Sequence, residues 1–342
     1  MGKIITLKEL NNMLPGDLFP CDEKAAKQKY RDLSRTYHPD SNKSADADSV
    51  FQKITELYHA ACDDIKAGVW HKKNFIRLIT EDGRKLDISF KHHGVFEIGE
   101  YYVCNKVVVY VINKGCDKYY DNALLRIKNL TFESGKMDEM RNFFPTVHSS
   151  KKLNDGRLCM VLNKAEDMYP LRCILNAYNG KIPDKHVAWI INRLSNLACY
   201  LQYSNLVSNG FNVENVFISP TKHAACLMGG WWYTVPKGAK MIGTTKQIFN
   251  VMPVTIKTSK VAANPTDLEA IKLIGREILG EPNQRKLQLI KDIPAPIVKF
   301  MVDGAGKCAY DEFGKYHELL DKAYGQRKFI KMELTDKQIY NL

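Results

Sequence analysis

Residues 24–40 read KAAKQKYRDLSRTYHPD, a stretch with two helical stripes that ends in a turn. Four residues at positions i, i+4, i+7 and i+11 predict the buried face of an α-helix: Ala26, Tyr30, Leu33 and Tyr37. Four basic residues follow helical spacing on another face: Lys24, Lys27, Arg31 and Arg35. Pro39 fixes its own φ and biases His38 away from helix. The stretch therefore predicts a helix with a cationic stripe, ended by a stiff turn that holds the side chains of residues 38 and 40 outward.

The neighbouring segments supply a partner for this helix. Residues 41–49 are rich in turn and N-cap residues, so they predict a loop that leads into a second helix. The buried stripe of that helix is Val50, Ile54, Leu57 and Ala61, with Phe51 and Tyr58 beside it. A short first helix is predicted from Leu7, Leu10 and Leu14, before a turn at Pro15-Gly16. Two antiparallel helices would then pack together, with His38-Pro39-Asp40 at their tip.

This arrangement resembles a J domain over about the first 65 residues. J domains recruit an Hsp70 chaperone in its ATP state and trigger hydrolysis. The resemblance implies that His38, Pro39 and Asp40 bind Hsp70, and that Asp40 engages an arginine at the Hsp70 nucleotide-binding domain and linker. An acidic surface on the partner would suit the cationic stripe. The alternative is a helix-stopping turn that has no partner.

Length and composition predict a second, larger domain. With 342 residues and 45% hydrophobic content, the chain can build two separate cores. We expect a J domain at 1–68, a linker with a β-hairpin at 69–94, and a second domain at 95–342. The hairpin is predicted from Phe75–Ile79 and Leu86–Phe90, on either side of a turn at Glu81–Gly83.

Other features of the composition limit the function classes. Nine cysteines without a C-x-x-C pair predict reduced thiols, and exclude J-domain proteins with a cysteine-rich zinc module. No apolar run approaches the length of a membrane span and the N-terminus lacks a signal-peptide core, so we expect no membrane partner and a location in the bacterial cytosol, including that of a phage-infected cell. The net charge of +12 gives little support to nucleic-acid binding, because the basic residues recur throughout the chain.

The second domain shows a mixed pattern of strands and helices. Strands are predicted at Tyr101–Cys104, Val107–Ile112, Ala123–Ile127, Leu158–Leu162, Asn215–Ile218 and Ala225–Met228, and helices at Met137–Phe144 and His186–Gln202. This order resembles a protein-kinase-like fold. Residues 161–194, 293–302 and 310–329 look more closely like a group of bacterial and phage J-domain proteins that carry a degenerate kinase-like domain. The fold class implied is α+β, with a small all-α J domain followed by a two-lobed kinase-like domain.

The kinase resemblance also implies where catalytic groups have been lost. Residues 209–218 occupy the place of the catalytic loop, where Asn215 fits the metal-binding asparagine but Gly210 stands at the catalytic aspartate and Ser208 at the usual histidine. The second metal-binding aspartate would be Met228, Gly229 or Gly230, and the sequence has no Asp or Glu from Asn215 through Thr266. A magnesium ion that bridges phosphates needs such oxygen ligands.

The remaining kinase positions are less well defined by sequence. There is no glycine between Gly99 and Gly115, so the phosphate-covering loop is missing. Arg126 and Lys128 are the candidates for the lysine of the third strand, with Glu139 as the helix partner in an ion pair that is structural. Asp267 resembles the buried helix aspartate that braces the catalytic loop. Trp231-Trp232-Tyr233 predicts core packing, with a peptide-binding aromatic patch as the alternative.

The leading hypothesis is a non-enzymatic co-chaperone that stimulates a DnaK-like Hsp70. Its pseudokinase domain would bind a client or another protein, without a cofactor or a metal. One alternative is a divergent kinase or a protein that binds nucleotide without transfer. The other is a nucleic-acid-binding adaptor, which would need a contiguous basic surface on the second domain.

Overall fold

A computed structural model describes residues 5–42, 44, 46–132, 138–326 and 328–341. The chain divides into two compact units. The first comprises residues 1–92 and 152–155, and the second comprises residues 93–151 and 156–342. The predicted start of a helix at Met137 lies outside the described residues.

Four helices form most of the first unit. They are α1 (Leu7–Asn11), α2 (Pro15–Leu18), α3 (Glu23–Tyr37) and α4 (Ala47–Ala67). The carboxylate of Asp22 caps α3 by accepting a hydrogen bond from the Ala25 amide at 2.8 Å. Gly68 ends α4 in a left-handed conformation that glycine adopts without strain. The three helices predicted for this region are present, but Leu14 lies beyond the end of α1 and is exposed. Pro15 and Gly16, predicted as a turn, instead begin α2, since proline is favoured at the first position of a helix.

The core of the first unit lies between α3 and α4. Ala26, Leu33 and Tyr37 are buried on α3 as predicted, and the stripe predicted on α4 is buried as well. Tyr30 is half-buried, and its ring stacks on Tyr58 with 4.2 Å between centroids. Apolar side chains of both helices are removed from water at this interface, and their burial stabilises the antiparallel pair.

A β-hairpin extends the first unit beyond its helices. Strands β1 (Phe75–Ile79) and β2 (Lys85–Ser89) pair antiparallel, as predicted. The segment before them is tied to the helices, because the Lys73 amide donates to the Asp17 carboxylate at 3.0 Å and the His71 amide donates to that of Asp64 at 3.0 Å. The hairpin, predicted as part of a linker region, therefore lies within the first compact unit.

The second unit begins with a sheet. The strands of this sheet are β3 (His92–Phe96), β4 (Gly99–Val103), β5 (Val107–Ile112), β6 (Thr146–Lys152) and β7 (Leu158–Asn163). The sheet has five strands in the order β3-β4-β5-β7-β6. Helix α5 (Asp117–Lys128) follows β5, and a 3-10 helix (Asp138–Phe143) precedes β6.

The rest of the second unit is largely helical. Its helices are α6 (Leu171–Ala177), α7 (Asp184–Tyr203), α8 (Lys246–Val251), α9 (Val254–Ser259), α10 (Pro265–Ile278), α11 (Gln284–Leu287), α12 (Ala295–Val302), α13 (Ala309–Tyr324) and α14 (Asp336–Tyr340). Short strands are β8 (Tyr169–Pro170), β9 (Leu206–Val207), β10 (Val216–Ser219), β11 (Ala224–Leu227) and β12 (Val235–Pro236). The predicted α+β class, with a helical first domain and a two-lobed second one, is confirmed.

One element of the second unit was predicted wrongly. Residues 123–127 form the end of α5 and not a strand. Tyr120, Ala123 and Ile127 are the buried residues of this helix, at positions i, i+3 and i+7. Taken alone, the apolar run Ala-Leu-Leu-Arg-Ile is typical of a strand, but together with the preceding Asp117–Asn122 it completes a helical repeat.

Several predictions about side chains can be compared with the structure. Trp231, Trp232 and Tyr233 form a short 3-10 helix and are buried, so the core-packing interpretation is confirmed. All nine cysteines are free thiols. Among the described residues, no helix combines the length and the apolar character required to cross a membrane.

Candidate functional site

The tip of the α3–α4 pair is shaped by the turn that ends α3. His38 is the C-cap that follows α3, where its amide donates to the Ser34 carbonyl at 2.9 Å and its backbone turns extended. Pro39 has no amide hydrogen with which to continue the helix. The amides of Ser41 and Asn42 both donate to the His38 carbonyl at 2.9 Å, which closes the turn.

Within this turn the two polar side chains differ in exposure. The His38 ring lies edge-on to Phe51, with 5.0 Å between centroids, and its Nδ1 accepts a hydrogen bond from the Asp40 amide at 3.2 Å. His38 is therefore held in one orientation. The Asp40 side chain is 90% exposed, with an oxygen 3.4 Å from His38 Nδ1. The turn thus presents a carboxylate to solvent on a fixed backbone.

The cationic stripe lies on the solvent side of α3. Lys24, Lys27, Arg31 and Arg35 are all exposed. Arg35 lies 4.0 Å from Asp32, a separation and exposure at which an ion pair contributes little to stability. In the described part of the chain the other three cations have no acidic partner. The stripe and the turn are therefore both available to a partner surface.

In the second unit, the loop predicted to replace a catalytic loop is held by one buried carboxylate. Asp267, on α10, accepts hydrogen bonds from the Ser208 amide at 2.7 Å and the Asn209 amide at 2.9 Å. Burial raises the pKa of this carboxyl to about 7, while the two amides act in the opposite direction. Asp267 therefore has the bracing geometry that the resemblance implies.

Asn215 connects this loop to the segment that follows β11. Its side-chain amide donates to the Gly210 carbonyl at 2.8 Å, and its own carbonyl accepts from the amides of Met228 at 2.8 Å and Gly229 at 3.0 Å. The neighbouring Glu214 pairs with Arg172 at 2.7 Å, and Arg172 also reaches Glu277 on α10 at 2.7 Å. Asn215 and Glu214 are thus both engaged in contacts that hold the loop in place.

Three glycines of the predicted site are closely packed against their neighbours. A Cβ atom on Gly210 would lie 2.8 Å from the Gly230 Cα and 2.9 Å from its carbonyl oxygen. A Cβ on Gly229 would overlap the Asn215 side-chain oxygen. Gly230 has a φ of 82°, which glycine adopts at no steric cost. The structure therefore brings Gly210, Asn215, Gly229 and Gly230 together, but in a packing that depends on the absence of side chains.

The remaining predicted residues lie elsewhere. Arg126 and Lys128 are on α5 and not on a strand, and Glu139 is an exposed residue of the 3-10 helix before β6. Arg126 donates to the Asn122 side chain at 3.3 Å, with no carboxylate partner among the described residues. The predicted ion pair between these basic residues and Glu139 is absent from the described ion pairs.

Sequence reasoning missed an aromatic cluster beside the glycines. The strand that precedes α5 is β5, and its central residue Tyr110 is fully buried with its hydroxyl near the position of a Gly229 side chain. Trp232 stacks on Phe96 at 4.5 Å and meets Tyr110 edge-on at 5.4 Å, and Tyr101 lies 5.8 Å from Tyr110. These four rings, the aromatic cluster, pack against one another, and the Tyr110 hydroxyl brings the cluster into contact with Gly229. The feature of the sequence that could have indicated this cluster is Tyr110, an aromatic residue in the otherwise aliphatic run Val107–Ile112.

The described residues contain no group of three or more His, Cys, Asp or Glu side chains placed to hold a metal ion. His93 instead pairs with Glu100 at 3.0 Å. His223 stacks between Trp189 at 4.3 Å and Phe329 at 4.0 Å. Both histidines therefore have packing or pairing partners.

Comparisons with known proteins identify the first unit. Residues 19–67 match the family model of the DnaJ domain. The chaperone protein DnaJ of Exiguobacterium sibiricum is 55% identical over 38 residues, which are 11% of this chain and 10% of that protein. The corresponding values are 50% over 40 residues for DnaJ of Mycoplasma mobile (12% and 11%) and 47% over 45 residues for the DnaJ homolog dnj-10 of Caenorhabditis elegans (13% and 10%). The chain thus contains a DnaJ domain, and it spans about a tenth of the length of these relatives.

A comparison of structures concerns the larger unit. The structure of vaccinia related kinase 3 is similar over 75% of this chain and 94% of that chain, with a TM-score of 0.48 and 12% identity. A likeness at this level says nothing about activity. Independently of it, the second unit has a sheet followed by a helical part and a loop braced by Asp267, the layout that the sequence resemblance implied.

The buried carboxylate of Asp267 leads to a prediction about stability. Because its pKa is about 7 in the folded protein and about 3.8 ordinarily, the folded state binds a proton between these values that the unfolded state lacks. Its contribution to stability is therefore largest at low pH and falls as the pH rises toward 7. Asp267→Asn removes this titration and one of the two acceptors, at a cost of about 1–3 kcal/mol.

We expect the difference in unfolding free energy between wild type and Asp267→Asn to be larger near pH 5 than above pH 7, in the window set by the two pKa values. Urea unfolding followed by tryptophan fluorescence measures it. Asp117→Asn, at an exposed position on α5, is the matched control and should show no such pH dependence. A difference that grows with rising pH would contradict the assignment.

Proposed function

We propose that this chain is a J-domain co-chaperone that recruits an Hsp70 of the DnaK type and stimulates its ATPase. The observation that carries the proposal is the exposed Asp40 carboxylate on a turn fixed by Pro39 and the His38 ring. Fixed geometry supports recognition because little conformational entropy is lost when a partner arginine pairs with the carboxylate. The cationic stripe of α3 would add electrostatic attraction to an acidic Hsp70 surface.

We propose further that the second domain is catalytically inactive and serves as a binding module for a client or a regulatory protein. Gly210 stands where phosphoryl transfer would need a carboxylate, and its contact with Gly230 leaves no room for a side chain. The Tyr110 hydroxyl of the aromatic cluster lies beside Gly229, one of the positions where the kinase resemblance would put a metal-binding aspartate. Both features support a domain that works through its surface.

The first prediction concerns the turn. Asp40→Asn keeps the size and the exposure of the side chain but removes its charge, so we expect stimulation of DnaK-type Hsp70 to fall to the rate of the chaperone alone. His38→Gln should have the same effect, because it removes the ring that orients the turn on Phe51. Steady-state ATP hydrolysis measures both.

Asp63→Asn is the matched control, since Asp63 is exposed on α4 away from the turn, and it should stimulate like wild type. Circular dichroism of each variant checks that α3 and α4 remain folded. Full stimulation by folded Asp40→Asn and His38→Gln proteins would overturn the proposed role of the turn.

The second prediction concerns the cationic stripe. Lys27→Glu combined with Arg31→Glu should raise the concentration needed for half-maximal stimulation about tenfold at low salt, and less at high salt, where screening weakens the attraction in wild type as well. The double variant Lys66→Glu with Lys72→Glu changes the charge equally at two exposed sites off the stripe and is the control. Equal responses of the two double variants would show that only net charge matters.

The third prediction concerns the proposed inactivity. Because glycines and not carboxylates stand at positions 210, 229 and 230, the site lacks the ligands that would hold magnesium. ATP with magnesium should therefore neither raise the melting temperature of the full chain nor yield phosphate transfer to itself or to a general protein substrate. Differential scanning fluorimetry and radiolabel transfer measure these two outcomes, with the Hsp70 as the positive control for ATP binding. A stabilising shift with ATP would favour the alternative of a nucleotide-binding protein.

A further inference from the structure

The second unit carries a basic surface that the proposed functions above do not use. It is formed by residues 237–261 and contains five lysines: Lys237, Lys240, Lys246, Lys257 and Lys260. The segment has no acidic residue to neutralise them. In the part of the chain that the structure describes, none of the five forms an ion pair. We call this the lysine-rich surface.

The backbone brings the two ends of this segment together. Lys240 pairs with Val261 in an antiparallel bridge, and the Met241 amide donates to the Lys260 carbonyl at 2.8 Å. Lys240 and Lys260 therefore lie on adjacent chain segments. Lys257 precedes Lys260 by one helical turn, and its ammonium group donates to the Asn250 carbonyl at 2.9 Å, which connects α9 to α8. These contacts connect the segments that carry Lys240, Lys257 and Lys260, and Lys246 begins α8, the helix to which Lys257 is bonded.

Large apolar side chains are exposed among these lysines. Val254 is 74% exposed, Phe249 48%, Val261 39% and Ile242 37%. The Phe249 ring lies 5.5 Å from the Lys257 ammonium group, so a cation and an apolar surface are presented side by side. Four exposed apolar side chains within one segment of the chain indicate an interaction site more strongly than a single one does.

We infer that the lysine-rich surface binds acidic protein segments that also carry apolar side chains. The charge of the surface requires an anionic partner, since five unpaired lysines attract carboxylates. The exposed Phe249, Val254, Ile242 and Val261 require that this partner also has apolar side chains to bury. An extended acidic segment with interspersed apolar residues satisfies both requirements.

Two other polyanions fit the surface less well. Nucleic-acid sites rely on arginine and on aromatic side chains that stack on bases, whereas this surface has no arginine and Phe249 is its single aromatic residue. Binding to an anionic membrane needs one helix that presents a broad apolar face, whereas α8 and α9 have six residues each and the apolar side chains are divided between them and the bridge.

This inference deepens the proposed function, because such segments would be the clients or partners delivered to Hsp70. Binding of a segment to the lysine-rich surface does not itself depend on the proposed stimulation of Hsp70. The test uses the full chain and a fluorescent peptide of alternating Glu and Leu, with a Gln-for-Glu peptide as its neutral counterpart. Fluorescence anisotropy should show binding of the acidic peptide that weakens at least about tenfold as salt rises, and much weaker binding of the neutral one.

Variants separate the two parts of the surface. Lys240→Glu with Lys260→Glu should weaken binding of the acidic peptide at least tenfold, whereas Lys291→Glu with Lys322→Glu, at exposed lysines outside the segment, should not. Phe249→Ala with Val254→Ser should weaken it several-fold without changing its salt dependence. The Lys240→Glu, Lys260→Glu protein should still stimulate Hsp70 in the absence of peptide, so failure of the inference can be told from failure of the proposed function.

Several outcomes would overturn the inference. It fails if the acidic peptide does not bind, or if both lysine double variants bind it equally. It also fails if a single-stranded oligonucleotide or phosphatidylserine vesicles bind more tightly than the peptide and are released by Lys240→Glu with Lys260→Glu, since the partner would then be a nucleic acid or a membrane.

Discussion

The second unit depends on the contact between the Asp267 carboxylate and two successive backbone amides. A buried carboxylate is costly unless donors satisfy it, and the amides of Ser208 and Asn209 do so at hydrogen-bonding distance. Because the loop is fixed at this point, Asn215 can reach both Gly210 and the chain after β11. The same carboxylate thus helps to fix Gly210, Asn215 and the chain after β11 relative to one another.

The main helices of the first unit could be predicted from the sequence because the patterns that mark them are local. The buried stripes of α3 and α4 repeat with helical period, and Pro39 marks the end of α3 without reference to any distant residue. The position of His38 on Phe51 could not be predicted, since it depends on how two helices separated by a loop pack. The types of secondary structure could therefore be predicted from sequence patterns, whereas the orientation of side chains depended on the tertiary structure.

The candidate site of the second unit was harder to predict because its residues meet only in the fold. The glycines at 210, 229 and 230 were found by their position in a motif, and the strand Val107–Ile112 beside them was predicted correctly. The contact of Tyr110 with the glycines could not be predicted, because it depends on how this strand packs against distant parts of the chain. The acid-free stretch from Asn215 to Thr266 was visible in sequence, but its basic surface came only from the pairing of Lys240 with Val261.

The close approach of Gly210 to Gly230 also limits how this part of the domain can be altered. In the present backbone, a side chain at Gly210 would collide with main-chain atoms that cannot rotate away, and one at Gly229 would displace Asn215. A carboxylate placed at either position would therefore require the backbone to move first, at a cost in stability. Substitutions on the exposed surface meet no such restriction, so new contacts are gained more readily at the exterior of the domain than at these glycines.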